Sequence, residues 1–200
     1  MFVVDPLPSH INMEEIIDSI QGSISSKHFD HIDVVYVGRF SSFLDKDINA
    51  MYLDHALYIT NEQDNGEDLI DDIIHEVAHA VEEKYFDHIY GDGLIEREFL
   101  AKRKRLKQIL LAQDYNVHNY NFSEISYNSD FDELLYKKVG YEKLQNLING
   151  LFLSPYAATS MREYFANAFE HVYAFGESNM TSKISPVVYK KILNLEEMEY

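Results

Sequence analysis

The amino-acid sequence predicts an α+β fold, in which a small mixed or antiparallel sheet packs on one long helix and a mostly helical part follows. Two segments, 31–40 and 50–60, are rich in β-branched and aromatic residues and predict strands. The segment 69–85 is amphipathic with a helical period. Beyond it, apolar residues keep helical spacing in three long segments, which are 94–113, 131–149 and 159–175.

A helix and a strand are the first elements of the chain. Ile16, Ile17 and Ile20 recur at helical spacing, and Asn12 before them is a residue type that caps helix N-termini. The segment 31–40, HIDVVYVGRF, then has the composition of a strand. We therefore expect one short amphipathic helix before the sheet.

The second strand segment leads directly into the long helix. Within 50–60, Asp54 and His55 could form a turn or a bulge. Only a short polar loop separates this segment from the helix, so 56–59 is expected to lie beside the helix. A sheet edge at that place would offer backbone partners to an extended peptide.

The helical part of the chain contains one basic run. Lys102 to Lys107, within 94–113, reads KRKRLK in an otherwise acidic chain. It could dock an acidic partner, but we expect a solvated helix face that pairs with nearby carboxylates. Two more helices are expected, one over 131–149 with an interruption at Gly140 and a last one over 187–198.

Length and composition indicate a single globular domain. The chain has 200 residues, of which 46% are hydrophobic, enough for one good-sized core. We expect this domain, residues 1–200, to consist of three parts. They are an N-terminal α/β part at about 1–90, a helical insertion at about 91–150 and a C-terminal part at about 151–200.

Charge and cysteine content narrow the classes of function. The formal net charge of −17 argues against binding to nucleic acid or to an anionic membrane, because the protein would repel phosphate groups. The chain has no cysteine, so it can form neither disulfides nor thiolate metal sites. No apolar run is long enough for a membrane span or a signal peptide, and we expect a soluble protein, cytoplasmic or released without a secretory signal.

The long predicted helix contains the pattern H-E-x-x-H, formed by His75, Glu76 and His79. Residues four apart lie above one another on a helix, so both imidazoles can bind one metal ion while Glu76 stands beside a metal-bound water. The apolar residues of 69–85 cover the opposite side of the helix. The alternative is a surface helix with two solvated histidines. We favour the metal site, because Glu76 stands between the histidines and a candidate for the third ligand lies downstream.

Two spacings that are known for the third ligand of an H-E-x-x-H site are poorly matched by this chain. The extension H-E-x-x-H-x-x-G-x-x-H fails, because Glu82 and Tyr85 occupy the glycine and histidine positions. Glu96 and Glu98 lie at a usable distance, but neither has an acidic residue four positions later. These patterns therefore give no convincing ligand.

Glu163 is the better candidate for the third ligand. It opens the helical sequence E-Y-F-A-N-A-F, in which Ala166 would let the backbone approach the metal helix closely. Tyr156 precedes it by seven residues. Glu170, on the same helix face, is the second choice.

His75, Glu76, His79, Tyr156 and Glu163 resemble, residue by residue, the anthrax lethal factor-like metallopeptidase domain, a family that includes the clostridial Pro-Pro endopeptidases. The resemblance covers 69–85 and 154–175. It implies a zincin-like fold of the gluzincin type and one Zn²⁺ held by the two histidines and Glu163. It also implies Glu76 as the general base and a Tyr156 side chain that points into the site.

The chain departs from the family pattern at three places. Ala78 stands where the family usually has glycine, Asn167 replaces an acidic residue, and 80–162 is longer than usual. Asp72 or Asn167 could orient a liganding imidazole from outside the ligand set. Three further histidines have no partner at a useful spacing and are predicted to be ordinary, namely His55, His118 and His171.

These residues predict a zinc-dependent endopeptidase that hydrolyses peptide bonds of a restricted protein substrate through a metal-activated water. The alternative is a non-catalytic structural or interaction module, for instance of a phage particle or a toxin complex, that retains a zincin fold. Glu76 and Tyr156 favour the enzyme, because a purely structural zinc site is closed by four protein ligands and needs no base.

Overall fold

The computed structural model describes residues 1–44 and 48–198, and in this part of the chain the strands form a four-stranded mixed sheet. The strand order is β1-β2-β4-β3, in which β1–β2 and β2–β4 are parallel and β3–β4 is antiparallel. The sheet and the helices around it make an α+β fold, as predicted. The strands are β1 (Phe2–Val3), β2 (Val34–Gly38), β3 (Ala50–Leu53) and β4 (Ala56–Thr60).

The predicted strand segment 50–60 is a hairpin. Asp54 and His55 form its two-residue turn with positive φ angles of 49° and 62°, as a turn that matches the strand twist requires. The segment 56–59 packs against the long helix as expected, but it does not form a sheet edge, because β4 pairs with β2 on its other side. The edge on this side of the sheet is β3, which pairs only with β4 in the described sheet and also packs against the long helix.

The long helix α3 spans Gly66–Lys84 and begins with a well-formed cap. The Asn65 side chain accepts a hydrogen bond from the Asp68 N–H at 2.9 Å, and acidic residues in the first turn suit the positive end of the helix dipole. One side of the helix is fully buried, including Leu69, Ile73 and Ile74. The prediction of a helix over 69–85 is therefore confirmed. The α-helices that precede it in the described residues are α1 (Met13–Ser23) and α2 (Ser41–Leu44).

The helical part agrees with the sequence in its long elements. The predicted helix over 131–149 has two α-helical pieces joined by a π-helical stretch, Leu134–Gly140, and Gly140 has φ +85°. Two short helices in the described residues, Phe86–Tyr90 and Ser178–Ile184, were not predicted. The helices are α4 (Phe86–Tyr90), α5 (Leu94–Ala112), α6 (Ser129–Glu133), α7 (Tyr141–Leu147), α8 (Met161–Tyr173), α9 (Ser178–Ile184) and α10 (Pro186–Glu197).

The chain contains two compact units. The first consists of Met1–Phe86 and Tyr173–Gly176, and the second of Asp87–Val172 and Glu177–Tyr200. The single peptidase domain expected from the sequence stays a prediction. None of the helices in the described residues is long and apolar enough to cross a membrane.

Arg103 in α5 holds the backbone of the second unit from inside its core. Its side chain is 1% exposed, and its guanidinium donates to the carbonyl oxygens of Ala158 at 2.6 Å, Thr159 at 3.1 Å and Asn121 at 3.3 Å. The same group lies 3.5 Å from the ring centroid of Phe131. Burial lowers the pKa of Arg103 to about 9. The residue therefore fixes the backbone turn that precedes α8.

The predicted solvated face for the basic run 102–107 is wrong for its first two residues. Arg103 is buried, and the half-buried Lys102 donates to the carbonyl oxygens of Leu151 and Ile184. Burial also lowers the pKa of Lys102 to about 8. These two cations bond to backbone carbonyls, because the helix turns them towards the interior of its unit.

Replacement of Arg103 by methionine is expected to lower the free energy of unfolding by about 3 kcal/mol or more, because buried carbonyl groups lose a charged donor. Urea unfolding followed by far-UV circular dichroism measures this effect. The matched control is Arg105→Met on the exposed face of α5, which should change stability by no more than about 0.5 kcal/mol. Equal effects of the two substitutions would contradict the structural role of Arg103.

Candidate metal centre

His75 and His79 lie one turn apart on the same face of α3. Their ring centroids are 5.2 Å apart and the ring planes meet at 78°. His79 is buried and His75 is half-buried. The two imidazoles are thus presented side by side on one rigid helix, as the H-E-x-x-H spacing predicts.

The orientation of the His79 ring is set by Glu82. The Nδ1 atom of His79 lies 2.8 Å from Oε2 of Glu82, whose side chain is 2% exposed. In a neutral imidazole Nδ1 then carries the proton and donates it to the carboxylate, so the lone pair is on Nε2. A carboxylate bonded to the second nitrogen is the usual support of a metal-ligating histidine.

Glu82 was not identified as a site residue from the sequence. It appeared there only as the residue that breaks the H-x-x-G-x-x-H extension. A signal was present, because residues three apart on a helix are neighbours and His79 and Glu82 have this spacing. Without knowledge of the burial, however, Glu82 is indistinguishable from its exposed neighbour Glu83.

Glu82→Gln is expected to weaken zinc binding about 10-fold, because the amide oxygen can still accept the Nδ1 proton but no longer carries the charge that makes the imidazole more basic. Competition with a chromogenic zinc chelator measures the affinity. Glu67→Gln makes the same chemical change on the exposed side of α3 and should leave the affinity unchanged. Equal affinities of the two variants would show that Glu82 does not support the ligand.

Glu76 is held by the edge strand of the sheet. Its carboxylate is 8% exposed, and its Oε2 atom accepts a hydrogen bond of 2.6 Å from the backbone N–H of Tyr52 in β3. Hydrogen bonds from backbone N–H groups to carboxylates are among the stronger ones in proteins. The position of Glu76 is therefore fixed by the backbone of a strand as well as by its own helix.

Asp72, one turn before His75 on α3, bonds to a loop residue. Its Oδ2 atom accepts a hydrogen bond of 2.8 Å from Nε2 of the buried Gln63. This bond ties the loop after β4 to α3. The role of Asp72 as an orienting group for an imidazole stays a prediction.

Glu163 lies in the first turn of α8, in the second unit. Its N–H donates to Oγ of Ser160 at 3.1 Å, which caps the helix, and its side chain is half-buried. One turn on, Asn167 is buried and donates to Glu170 at 3.3 Å. The Oδ1 atom of Asn167 is also buried and has no hydrogen-bond partner among the described residues. The sequence from Ser160 to Glu163 also fits a capping box, which is the plainer explanation of a glutamate at this position.

Tyr156 lies on a rigid backbone with an exposed side chain. It begins the 3-10 turn Tyr156–Ala158. Its carbonyl oxygen accepts two hydrogen bonds from Thr159, one from the backbone N–H at 2.9 Å and one from the side-chain hydroxyl at 2.8 Å. Arg103 binds the carbonyl groups of Ala158 and Thr159, two and three residues later. The Tyr156 side chain is 37% exposed. Its hydroxyl is therefore carried by a backbone that is held by hydrogen bonds at Tyr156 and in the residues after it.

Two tyrosines and an aspartate form a bonded cluster in the second unit. Asp132 accepts from the hydroxyl groups of Tyr127 at 2.8 Å and Tyr141 at 3.0 Å. Burial and the Asp132 bond raise the pKa of Tyr127 to about 12, and the charge of Glu163 adds to this increase. The pKa of Tyr141 is raised mainly by burial and by Asp132, with a contribution from Tyr156. This cluster was not predicted, since 115–130 has no clear period.

The other carboxylates that were considered as ligands have different surroundings. Glu98 uses both oxygens within the second unit, accepting from the Tyr164 hydroxyl at 2.8 Å and from the Val187 N–H at 3.0 Å. It fastens α8 and α10 to α5. Glu96 is exposed on α5. Glu98 is therefore a structural residue of its unit.

We compared the chain with protein-family models, characterised proteins and solved structures, and none of the three comparisons finds a match.

Proposed function

We propose that this protein is a zinc-dependent endopeptidase of zincin-like fold, related to the lethal factor-like metallopeptidases, with a restricted set of protein substrates. The observation that carries the proposal is the geometry of α3, in which His75 and His79 share one face and buried Glu82 orients the second imidazole. The alternative of a surface helix with two solvated histidines does not explain two buried glutamates, Glu76 and Glu82.

The proposed ligands of one Zn²⁺ are His75, His79 and Glu163. The donor set suits zinc, because two imidazoles and one carboxylate are common ligands of catalytic zinc and leave a position for water. Bound zinc would lower the pKa of that water and polarise the substrate carbonyl. The described residues include histidine and glutamate groups whose ligand atoms are close enough to hold a metal ion. Glu170 remains the second choice for the carboxylate.

Glu76 is the proposed general base. It would take a proton from the attacking water and deliver it to the leaving amine. Its Oε2 atom is bonded to the Tyr52 N–H, which leaves Oε1 as the oxygen for proton transfer. Since the bond comes from strand backbone, the carboxylate keeps its orientation while its protonation changes.

The edge strand β3 is the proposed site of substrate binding. A peptide in extended form could add to this edge by main-chain hydrogen bonds, and β3 also carries the N–H that holds Glu76. The acidic chain would favour a substrate that is neutral or basic. A peptide bound in this way would lie next to the base.

Tyr156→Phe is expected to lower kcat about 100-fold with unchanged zinc content, because the hydroxyl would donate to the oxyanion of the tetrahedral intermediate. Turnover of a cleaved peptide and the zinc content of the purified variant are the measurements. Tyr136→Phe is the matched control, since Tyr136 is another exposed tyrosine of the second unit. If Tyr156→Phe loses zinc, the role of this residue is structural.

The proposed function is tested by incubating the full chain with a proteome-derived peptide library and with a native cell lysate, followed by mass spectrometry of new termini. Cleavage that stops with a chelator and returns with zinc supports the proposal. A chain that binds zinc but cleaves nothing in either sample contradicts it and favours the non-catalytic module.

A further inference from the structure

A second group of possible metal ligands lies in the first unit, outside the proposed catalytic residues. It consists of His31, which precedes β2, His55, in the β3–β4 turn, and Glu83, near the end of α3. Each offers a ligand atom, and these atoms all lie within 4.8 Å of one another. Three separate elements of the first unit therefore converge on one point.

The distance between these atoms suits two ligands of one metal ion better than a direct hydrogen bond. His31 Nε2 and Glu83 Oε1 are 3.7 Å apart, beyond the usual length of an N–H···O hydrogen bond. Ligands at about 2.0–2.1 Å from a tetrahedral zinc ion are about 3.4 Å apart, so a small adjustment would bring both atoms to one ion. The rings of His31 and His55 are at right angles, with an interplanar angle of 82° and a centroid separation of 4.2 Å.

The orientation of His55 leaves its outer nitrogen for a ligand. Its Nδ1 atom lies 3.3 Å from the carbonyl oxygen of His31, and a proton on Nδ1 would be donated there. The lone pair is then on Nε2, as in most metal-ligating histidines that donate to a backbone carbonyl. The backbone of His55 has φ +62°, a conformation that non-glycine residues adopt rarely but that this turn requires.

Tyr52 lies beside this group. Its hydroxyl donates to the carbonyl oxygen of His31 at 3.5 Å. Through Tyr52 the group is also connected to the catalytic region, since the backbone N–H of this residue holds Glu76.

We propose that His31, His55 and Glu83 form a second site for a divalent transition metal such as zinc, which fastens the β3–β4 hairpin to α3. Imidazole and carboxylate ligands suit zinc and its neighbours in the first transition row. The His31 and Glu83 side chains are 28% and 52% exposed, so the ion exchanges with solvent. The site does not depend on the proposed peptidase activity, because none of its ligands belongs to the catalytic set.

The test is the zinc stoichiometry of the full-length protein, measured by equilibrium dialysis against ZnCl₂ and by elemental analysis. The His75→Ala and His79→Ala double variant should retain one zinc ion, and adding His31→Ala and His55→Ala should remove it. The control pair His10→Ala and His118→Ala, two exposed histidines, should bind as much zinc as the unchanged chain. Binding of no zinc by the first double variant would overturn the second site.

A milder substitution tests the same site in case the multiple variant fails to fold. Glu83→Ala replaces an exposed residue and should weaken the zinc affinity of the His75→Ala and His79→Ala variant by more than 10-fold, with an unchanged circular dichroism spectrum. An unchanged affinity would overturn the ligand set. The two proposals fail separately. If zinc is lost only when His75 and His79 are replaced, the second site is contradicted. If zinc is lost only when His31 and His55 are replaced, the catalytic site is contradicted.

Discussion

Glu76→Gln is expected to remove peptide hydrolysis while the variant still binds zinc. The amide cannot accept the proton of the attacking water, and loss of a general base costs about 100-fold to 10,000-fold in kcat. The fold should persist, because an amide oxygen can still accept the Tyr52 N–H that now bonds to Glu76. Turnover of a peptide found in the cleavage screen and the zinc content measure the two parts of this prediction.

Glu67→Gln is the matched control for this experiment. It makes the same change on α3, at an exposed position in the first turn, and should keep full activity. Full activity of Glu76→Gln would remove Glu76 as the base. Loss of zinc from this variant would instead mean that Glu76 belongs to the ligand set.

Glu163→Gln is expected to lower zinc affinity by more than about 100-fold, because loss of a direct anionic ligand exceeds the effect of losing a group that only supports one. Glu170→Gln is the control, on the same helix and two turns further on. Its amide oxygen can still accept the bond from Asn167, and the zinc affinity should stay close to that of the unchanged chain. The affinities are measured by competition with a chelator.

The opposite result would reassign the third ligand. If Glu170→Gln loses zinc and Glu163→Gln does not, the carboxylate ligand is Glu170, two turns further along the face that both residues share. If neither variant loses zinc, Glu163 is explained by the capping box with Ser160. In that case the resemblance to lethal factor-like enzymes fails in the last third of the chain.

The sequence predicted those elements whose signals are local. The helix α3 was recognised from its apolar period, and the structure adds the Asn65 cap. Asp54 and His55 were expected to form a turn or a bulge, and they form the turn of the hairpin, since these residue types accept positive φ angles. In such places the residues that determine the structure are neighbours in the chain.

Contacts between segments that are distant in the chain could not be predicted from the sequence. Arg103 was assigned to a solvated basic run, but its partners Ala158 and Thr159 are more than 50 residues away. Glu98 was considered as a ligand, although Tyr164 and Val187 use both of its oxygens. Nothing in the local pattern separates a buried charge from an exposed one, because the burial is decided by segments that arrive from elsewhere.

The same limit applies within the candidate site. The spacing of His75 and His79 placed them on one face, but the support of His79 by Glu82 depends on which of two adjacent glutamates is buried. The bond between Glu76 and Tyr52 depends on which strand forms the sheet edge, which the sequence did not predict correctly. Helix periodicity gives the direction of a side chain, whereas its partner depends on the packing of the sheet.

The most direct test of the zinc site is X-ray diffraction from zinc-loaded crystals, with anomalous data collected on both sides of the zinc absorption edge. We predict a strong peak bound by His75, His79 and Glu163, with a fourth position open to water. A loaded crystal without zinc at His75 and His79, or with four protein ligands closing the site, would contradict the proposed hydrolytic centre.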